Sequence, residues 1–305
     1  MPQVLVTGAS GYIGSHLVRS LAADGYAVRG FSRRSSPDGF LGAEWHTGDV
    51  RQIGDVYRAV QGCKVALHLV ASPLRRRGAD LKHDFQVNAV GTLNVLSAAL
   101  ALGVGRTIYA STAQLYGRSG RLPMAESDQP LPHTSYASSK LCGELLCMAI
   151  ARSHGMDVAA LRLFNVYGPQ LDGSPRPTVE AVFVRRALQG LPLLITAPAK
   201  EARDFIHMDD VVRALRMAMD KGAAGQVINI GTGISTSLSD LAEMVIELSG
   251  SKAPVRIEGT KQEPMRMQAD VRKARKVLGF KSQVGLRDGL SQLIEFQRRR
   301  GKDSA

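Results

Sequence analysis

Little in this chain of 305 residues points to a metal, a disulfide framework or a membrane. Its three cysteines, Cys63, Cys142 and Cys147, are odd in number and fit no metal-ligand spacing. We therefore expect no metal and a reducing, cytoplasmic setting. No apolar run approaches the ~18 residues that cross a bilayer. The opening MPQVLVTG also lacks the basic-then-apolar pattern of a secretion signal, so no membrane partner is expected. Aromatic residues reach only 5%, and no zinc-finger, RNA-recognition or basic-zipper pattern occurs. Nucleic acid is thus disfavoured as a partner despite the formal charge of +12, which suits an anionic small substrate or a solvated surface equally well.

What is present is apolar and periodic. Hydrophobic residues make up 44% of the chain, enough for a sizeable core. VLVTG leads into a helix-like stretch ending near Ala23, YAVRGFS follows, and KVALHLVAS precedes a periodic segment from Phe85 to Leu102. GRTIYAST, a helix carrying SYASSK, and DVAALRLFN from Asp157 complete the run. This alternation predicts an α/β fold with a Rossmann-like, doubly wound parallel sheet that binds ligands at the carboxyl ends of its strands. Chemistry should gather after Thr7, Phe31, Leu69, Ala110 and Leu163. Beyond Gly168 the pattern loosens, with prolines at 169, 175, 177, 192 and 198 and helices expected from Ser237 and Leu286. The expected division is a nucleotide-binding domain over 1–167 with a return segment at 204–233, and a smaller mixed substrate lobe over 168–203 and 234–305.

TGASGYIGSHL places Gly8, Gly11 and Gly14 between the first strand and the first helix. The spacing differs from G-x-G-x-x-G, but the physics is the same: a tight turn, close backbone approach to a pyrophosphate, and helix N–H groups aimed at that anion. A dinucleotide is expected there, with Tyr12 and Ile13 inside the turn. An acidic residue usually ends the second strand and receives the adenosine ribose, but FSRRSS supplies Ser32, Arg33 and Arg34. Donors and positive charge suit a 2′-phosphate, so Arg33 favours NADP over NAD. Asp49 in HTGDV stands where it would receive the adenine amino group, beside Val50, and Leu69, Val70 and Ala71 close the fourth strand against the cofactor.

SYASSK sets Tyr136 four residues ahead of Lys140, so on a helix the two side chains share a face. An ammonium beside a phenol favours the phenolate, and such a pair can donate and recover a proton near neutral pH. A surface coincidence is the competing reading, and the pair alone does not decide between them.

TGASGYIG, HLVAS, VNAVGTLNVL, STAQLYG, SYASSK, RLFNVYGP, RDFIHMDDV, NIGTG and ADVRKARKVLGF occur in that order over nearly the whole chain. Together they resemble the extended short-chain dehydrogenases/reductases, in their nucleotide-sugar (NAD-dependent) epimerase/dehydratase branch. The resemblance implies Tyr136 as the catalytic acid/base, Lys140 as the residue that lowers its pKa and binds the nicotinamide ribose, and Thr112 as the holder of the substrate oxygen. Asn88 would order the strand ends around the cofactor. Asn165 and Arg203 match positions that contact a substrate diphosphate, and Arg266 in EPMRMQAD is a third such candidate. The implied substrate is therefore a nucleotide-diphosphate sugar. Arg75, Arg76 and Arg77 would steer an anion at the site entrance or stand in a solvated loop. His207 and Asp209 read as capping residues and His68 as a core histidine. Relatives commonly pair through two helices, one of them bearing the tyrosine, so a homodimer is expected.

Relatives that eliminate water across C5 and C6 carry acids just after the threonine, where this chain has Ala113 and Gln114. An amide cannot do that acid/base work, so a 4,6-dehydratase is disfavoured. Three readings remain: an NAD(P)-dependent C4 epimerase of an NDP-hexose, an NADPH-dependent NDP-4-keto-6-deoxyhexose reductase, and a non-catalytic cofactor-sensing or RNA-associated protein on the same fold. The epimerase is placed first.

Overall fold

Val4 and Val6 of the first strand enter one core and Leu5 another, and all three are fully buried. A strand with apolar residues on both faces needs helices on both sides of its sheet. The structure is a computed structural model describing residues 3–35, 42–72, 80–118, 121–171, 178–198, 200–259 and 263–303. Its main sheet contains β1 (Gln3–Thr7), β2 (Ala27–Ser32), β3 (Ala43–Thr47), β4 (Val65–His68), β5 (Arg106–Thr112), β6 (Asp157–Leu163) and a seventh strand, Val227–Ile230. All pair in parallel, in the spatial order seventh, β6, β5, β4, β1, β2, β3. The order reverses between β1 and β4, and in such a sheet the crevice beyond that switch point receives the ligand.

On one face lies α1 (Tyr12–Ala23), through Leu17, Val18 and Leu21. The other face carries α2 (Ile53–Val60), which the sequence reading did not single out, and the segment expected to be helical from Phe85 to Leu102. That segment is interrupted: α3 (Leu81–Phe85) passes into a π-turn over Gln86–Val90 before α4 (Gly91–Ala101). A π-turn inserts an extra residue into the helical ladder and re-aims what it carries. Here it carries Asn88, which is fully buried. The long helix α5 (Ser135–His154) starts where Thr134 accepts the Ala137 N–H at 3.1 Å and stops at Gly155 in the left-handed conformation.

After β6 come β7 (Asn165–Tyr167), α6 (Val179–Leu188), β8 (Leu193–Ile195), β9 (Ala202–Arg203), β10 (Phe205–His207) and α7 (Met208–Lys221). The seventh sheet strand is β11, followed by β12 (Thr236–Ser237), α8 (Leu238–Ser249), β13 (Val255–Ile257), α9 (Arg272–Leu278) and α10 (Leu286–Asp303). Phe183, Leu193, Leu241, Val245, Leu290 and Ile294 form a separate core between α6, α8 and α10. One piece crosses the expected division. Ala274, Leu278 and Phe280 join the main-sheet core beside Val211 and Leu215 of α7, because α9 lays its apolar face on α7 and β11 rather than on the lobe.

Glu180 sits in the first turn of α6, where the helix dipole favours a carboxylate. It is only 2% exposed, and its Oε1 has no hydrogen-bond partner among the described residues. Burial pushes its carboxyl up to about 7, against the opposing pull of Thr178, its own backbone N–H and Arg203. A raised carboxyl binds its proton more tightly when folded, so this contribution to stability is full below the ordinary value of 4.5 and is lost as pH rises through about 7. Glu180→Gln should therefore gain on the parent by up to about 3 kcal/mol more at pH 8 than at pH 5. Denaturant unfolding at the two pH values reads the difference, and an equal offset at both would refute it.

Candidate active site

Gly8 ends β1 with φ +71°, and a Cβ there would lie 3.0 Å from the Val70 nitrogen. Only glycine suits a backbone so wound and so close to the end of β4. The Gly8 N–H donates to the Phe31 carbonyl at 2.8 Å and the Gly8 carbonyl accepts the Gly11 N–H at 2.8 Å. Gly11 then caps α1 with no side-chain acceptor, leaving first-turn N–H groups around Tyr12, Ile13 and Gly14 without a capping side chain. This cradle fits the pyrophosphate of a dinucleotide. The Tyr12 hydroxyl donates to the Gly168 carbonyl at 3.0 Å, tying the turn to the start of the lobe, and Ile13 packs on the main core.

The adenosine end is more crowded than the sequence suggested. Ser32 is buried and donates to the Arg34 carbonyl at 2.7 Å, while the Arg34 guanidinium reaches back to Ser10 in the glycine turn. Arg33 is exposed beside them. The Asp49 carboxylate is gripped by Arg51, with Nη2 to Oδ2 at 2.6 Å, and this pairing holds its carboxyl below the usual range. An adenine amino group would share Asp49 with that guanidinium. Val50 is buried and Leu69 and Val70 are half-buried, with both backbone nitrogens within 3.4 Å of the Thr7 hydroxyl; Ala71 is exposed.

Thr112 ends β5 and, with its hydroxyl accepting the Gln114 N–H at 3.3 Å, opens a 3-10 turn over Ala113–Tyr116. Across from it, Tyr136 lies half-buried in the first turn of α5. Burial pushes its phenol up to about 12 and the Asp84 carboxylate adds to that, while the Thr112 hydroxyl opposes them. Lys140, four residues on, is 1% exposed. Its ammonium lies 4.0 Å above the centre of the Tyr109 ring, so the phenol beneath it belongs to β5 and not to its own helix. The expected lowering of Tyr136 by Lys140 is thus not what this geometry gives. Burial pushes the Lys140 ammonium down to about 7, with Cys147 and Glu144 acting in the opposite sense.

Asn88 joins three elements. Its Oδ1 accepts the Ser72 N–H at 2.9 Å, and its Nδ2 donates to Ser72 Oγ at 3.0 Å and to Ser139 Oγ at 2.9 Å. Ser139 in turn donates to the Tyr136 carbonyl. His68 is a core histidine: Nδ1 lies 2.7 Å from Thr7 Oγ1 and Nε2 3.0 Å from Thr92 Oγ1. Thr92 spends its only proton on the Asn88 carbonyl, so the chain of donors assigns the His68 hydrogen to Nε2. Burial, then Lys140, push this imidazole down to about 3 and keep it neutral.

The lobe brings two of its three candidate diphosphate residues together. Ala202 forms a parallel bridge with Arg266, accepting the Met267 N–H and donating to the Met265 carbonyl, each at 3.0 Å. Arg203 and Arg266 therefore leave adjoining backbone. Arg203 pairs with Glu201, Arg266 is exposed, and Asn165 is half-buried on β7. Arg75, Arg76 and Arg77 lie outside the described residues. His207 caps α7, its Nδ1 accepting the Asp209 N–H at 3.3 Å. Sequence reasoning missed Asp84, Tyr109 and Asp204. Asp204 is fully buried and its carboxylate accepts the N–H groups of Thr232, Gly233 and Ala269 within 3.0 Å, clasping NIGTG to the loop after Arg266. Among the described residues no His/Cys/Asp/Glu cluster could hold a metal, and no helix is long and apolar enough to cross a membrane.

Comparison with known proteins gives one consistent result. The model of the NAD dependent epimerase/dehydratase family matches residues 4–231. The chain is 30% identical to a UDP-glucose 4-epimerase of Mycolicibacterium smegmatis, over 98% of this chain and 100% of that one. It is also 30% identical to a dTDP-glucose 4,6-dehydratase of an Actinoplanes species, over 97% and 98%. Among solved structures it is similar to MoeE5 in complex with UDP-glucose and NAD, with a TM-score of 0.87, 34% identity, and coverage of 98% of this chain and 99% of that one.

The Asp84 carboxylate accepts the Ser135 hydroxyl one residue from Tyr136 and contributes to the raised phenol. Asp84→Asn keeps an acceptor for Ser135 and removes the charge, so Tyr136 should titrate about one pH unit lower. The phenolate absorbance that Tyr136→Phe eliminates, followed against pH in both backgrounds, measures this. An unmoved titration would show that Asp84 does not act on the phenol.

Proposed function

The chain belongs to the NAD-dependent epimerase/dehydratase family of enzymes, and from that premise we propose that it is an NAD(P)-dependent C4 epimerase of a nucleotide-diphosphate hexose. The observation that carries the reaction is the 3-10 turn beside Thr112 and Tyr136: Ala113 and Gln114 open it, with no carboxyl to remove a C5 proton or protonate a leaving hydroxyl. Identity alone does not choose, since the epimerase and dehydratase relatives stand at the same 30%.

In this reading the nicotinamide, when bound, supplies a hydride acceptor and donor. Tyr136 takes the C4 hydroxyl proton as hydride leaves C4 and returns it when hydride comes back on the opposite face of the 4-keto sugar. Thr112 orients the reacting oxygen from the end of β5. Lys140 offers its ammonium to the nicotinamide ribose; burial and Asp84 oppose the phenolate that Tyr136 needs as a base, so that form would require positive charge from the bound cofactor. The glycine cradle holds the pyrophosphate, and Asn165, Arg203 and Arg266 supply donors to the substrate diphosphate. A division into a cofactor half and a substrate half follows, with 272–280 counted in the former. Exposed Leu93 and Leu100 on α4 and Leu145 on α5 support a homodimer through those helices.

A second reading has its own observation. Exposed Arg33 at the end of β2 suits a 2′-phosphate, and NADPH would make the protein a 4-ketoreductase. Denaturing protein purified without added cofactor separates the two. Stoichiometric released NAD supports the epimerase, and an empty site that then prefers NADPH to NADH supports the reductase. Tyr136→Phe should lower turnover at least ~100-fold in either case, the scale of lost acid/base catalysis. Near-normal turnover by that variant would overturn the catalytic assignment.

A further inference from the structure

Lys140 carries the only ammonium on α5, and among the described residues the usual compensation for a buried cation, a free carboxylate, is missing. The nearest candidate on its own helix is Glu144, but that carboxylate is already held by Arg162, with Nη2 to Oε1 at 2.6 Å, and by the Ser111 hydroxyl at 2.6 Å. His68 on β4 is neutral, Cys147 on α5 is a buried thiol pushed up by burial, and Tyr136 is a protonated phenol. Arg162 on β6 is itself a cation, spent on Glu144. Asn88 and Thr92, from the π-turn and α4, are uncharged and bonded to other groups.

The group that does face the ammonium is the ring of Tyr109, at 4.0 Å from its centre. That ring is fully buried and fixed at both ends. Its hydroxyl donates to the carbonyl of Lys140 itself at 3.2 Å, and its plane lies against His68 with centroids 5.6 Å apart. Gly143 is what allows the contact: a Cβ there would stand 2.4 Å from the Tyr109 hydroxyl oxygen and 2.8 Å from the Asn88 carbonyl.

We propose that Tyr109 is a positioning residue for the lysine: its ring face seats the Lys140 ammonium. A cation over an aromatic face in a desolvated site is stabilised by the ring quadrupole, which no aliphatic residue replaces. The seat keeps the charge inside the site and ready for the ribose. The role in catalysis rests on the function proposed above; the seat itself is readable without turnover.

The test uses the full chain labelled with ¹³C,¹⁵N-lysine, the Lys140 signals being those lost in Lys140→Arg. In the parent, the Lys140 ε-methylene protons should lie upfield through the ring current of Tyr109. Tyr109→Phe should retain that shift and the Lys140 titration midpoint. Tyr109→Leu should abolish the shift and lower the midpoint by about one pH unit, a tenfold change in the protonation equilibrium. The ring-pentafluorinated form of phenylalanine at 109 reverses the quadrupole at nearly constant shape, so it should lower the midpoint too, and it serves if the leucine variant does not fold. Unshifted ε protons in the parent, or equal midpoints with phenylalanine and its fluorinated form, would overturn the proposal. If the seat reads as expected while the protein turns over no nucleotide sugar, the seat stands and the proposed reaction falls.

Discussion

Glu144, Arg162 and Ser111 meet in the interior, where each is at most 4% exposed. Arg162 grips the carboxylate with Nε and Nη2, and Ser111 donates to it from β5. Taking two charges out of water costs several kcal/mol per ion, roughly, before their attraction is counted, so the pair is a weak source of net stability. What it supplies is register. Glu144 stands one helical turn beyond Lys140 and two beyond Tyr136, and Ser111 immediately precedes Thr112. Arg162 also lies 4.8 Å over the ring of Tyr116, whose hydroxyl donates to Asn229 at 2.7 Å. Rotation of α5, the end of β5, the -YG- turn and the return strand are thereby fixed against one another by one buried cluster of contacts.

With that carboxylate committed, the other charges around Tyr136 sort themselves. His68 stays neutral, so the cation on this buried face of α5 is Lys140, pushed down to about 7 by burial. Asp84 reaches the phenol from α3 and favours its protonated form. The protein alone therefore keeps Tyr136 as an acid. In the proposed reaction the phenolate would need positive charge brought from elsewhere, which would couple the proton step to an occupied nicotinamide site.

The glycine turn was legible because everything it needs is local: strand, three glycines and helix follow one another within a dozen residues. The Tyr136–Lys140 pair was legible as a shared helix face, but periodicity does not say which element lies opposite that face, and Tyr109 was therefore invisible. Asn88 was found from its motif, whereas the π-turn that turns it inward looks in sequence like uninterrupted helix. Asp84 sits on a helix of five residues, too short to show a period. Arg51 was missed as the partner of Asp49 because an ion pair two residues apart in a loop follows no regular spacing. The helix α9 was assigned to the lobe by its place in the chain, although its apolar residues, Ala274 and Leu278, face the main sheet.

The bridge between Ala202 and Arg266 is made of main-chain atoms alone. Its geometry is indifferent to which side chains flank it, and it closes off the long stretch of chain between the two positions. That stretch carries α7, β11 and α8, which pack in the main-sheet and lobe cores, so the places where residues 203 and 266 emerge are tied to both cores. A bridge of main-chain atoms leaves the side chains at 203 and 266 free to change while the backbone positions from which they emerge stay put.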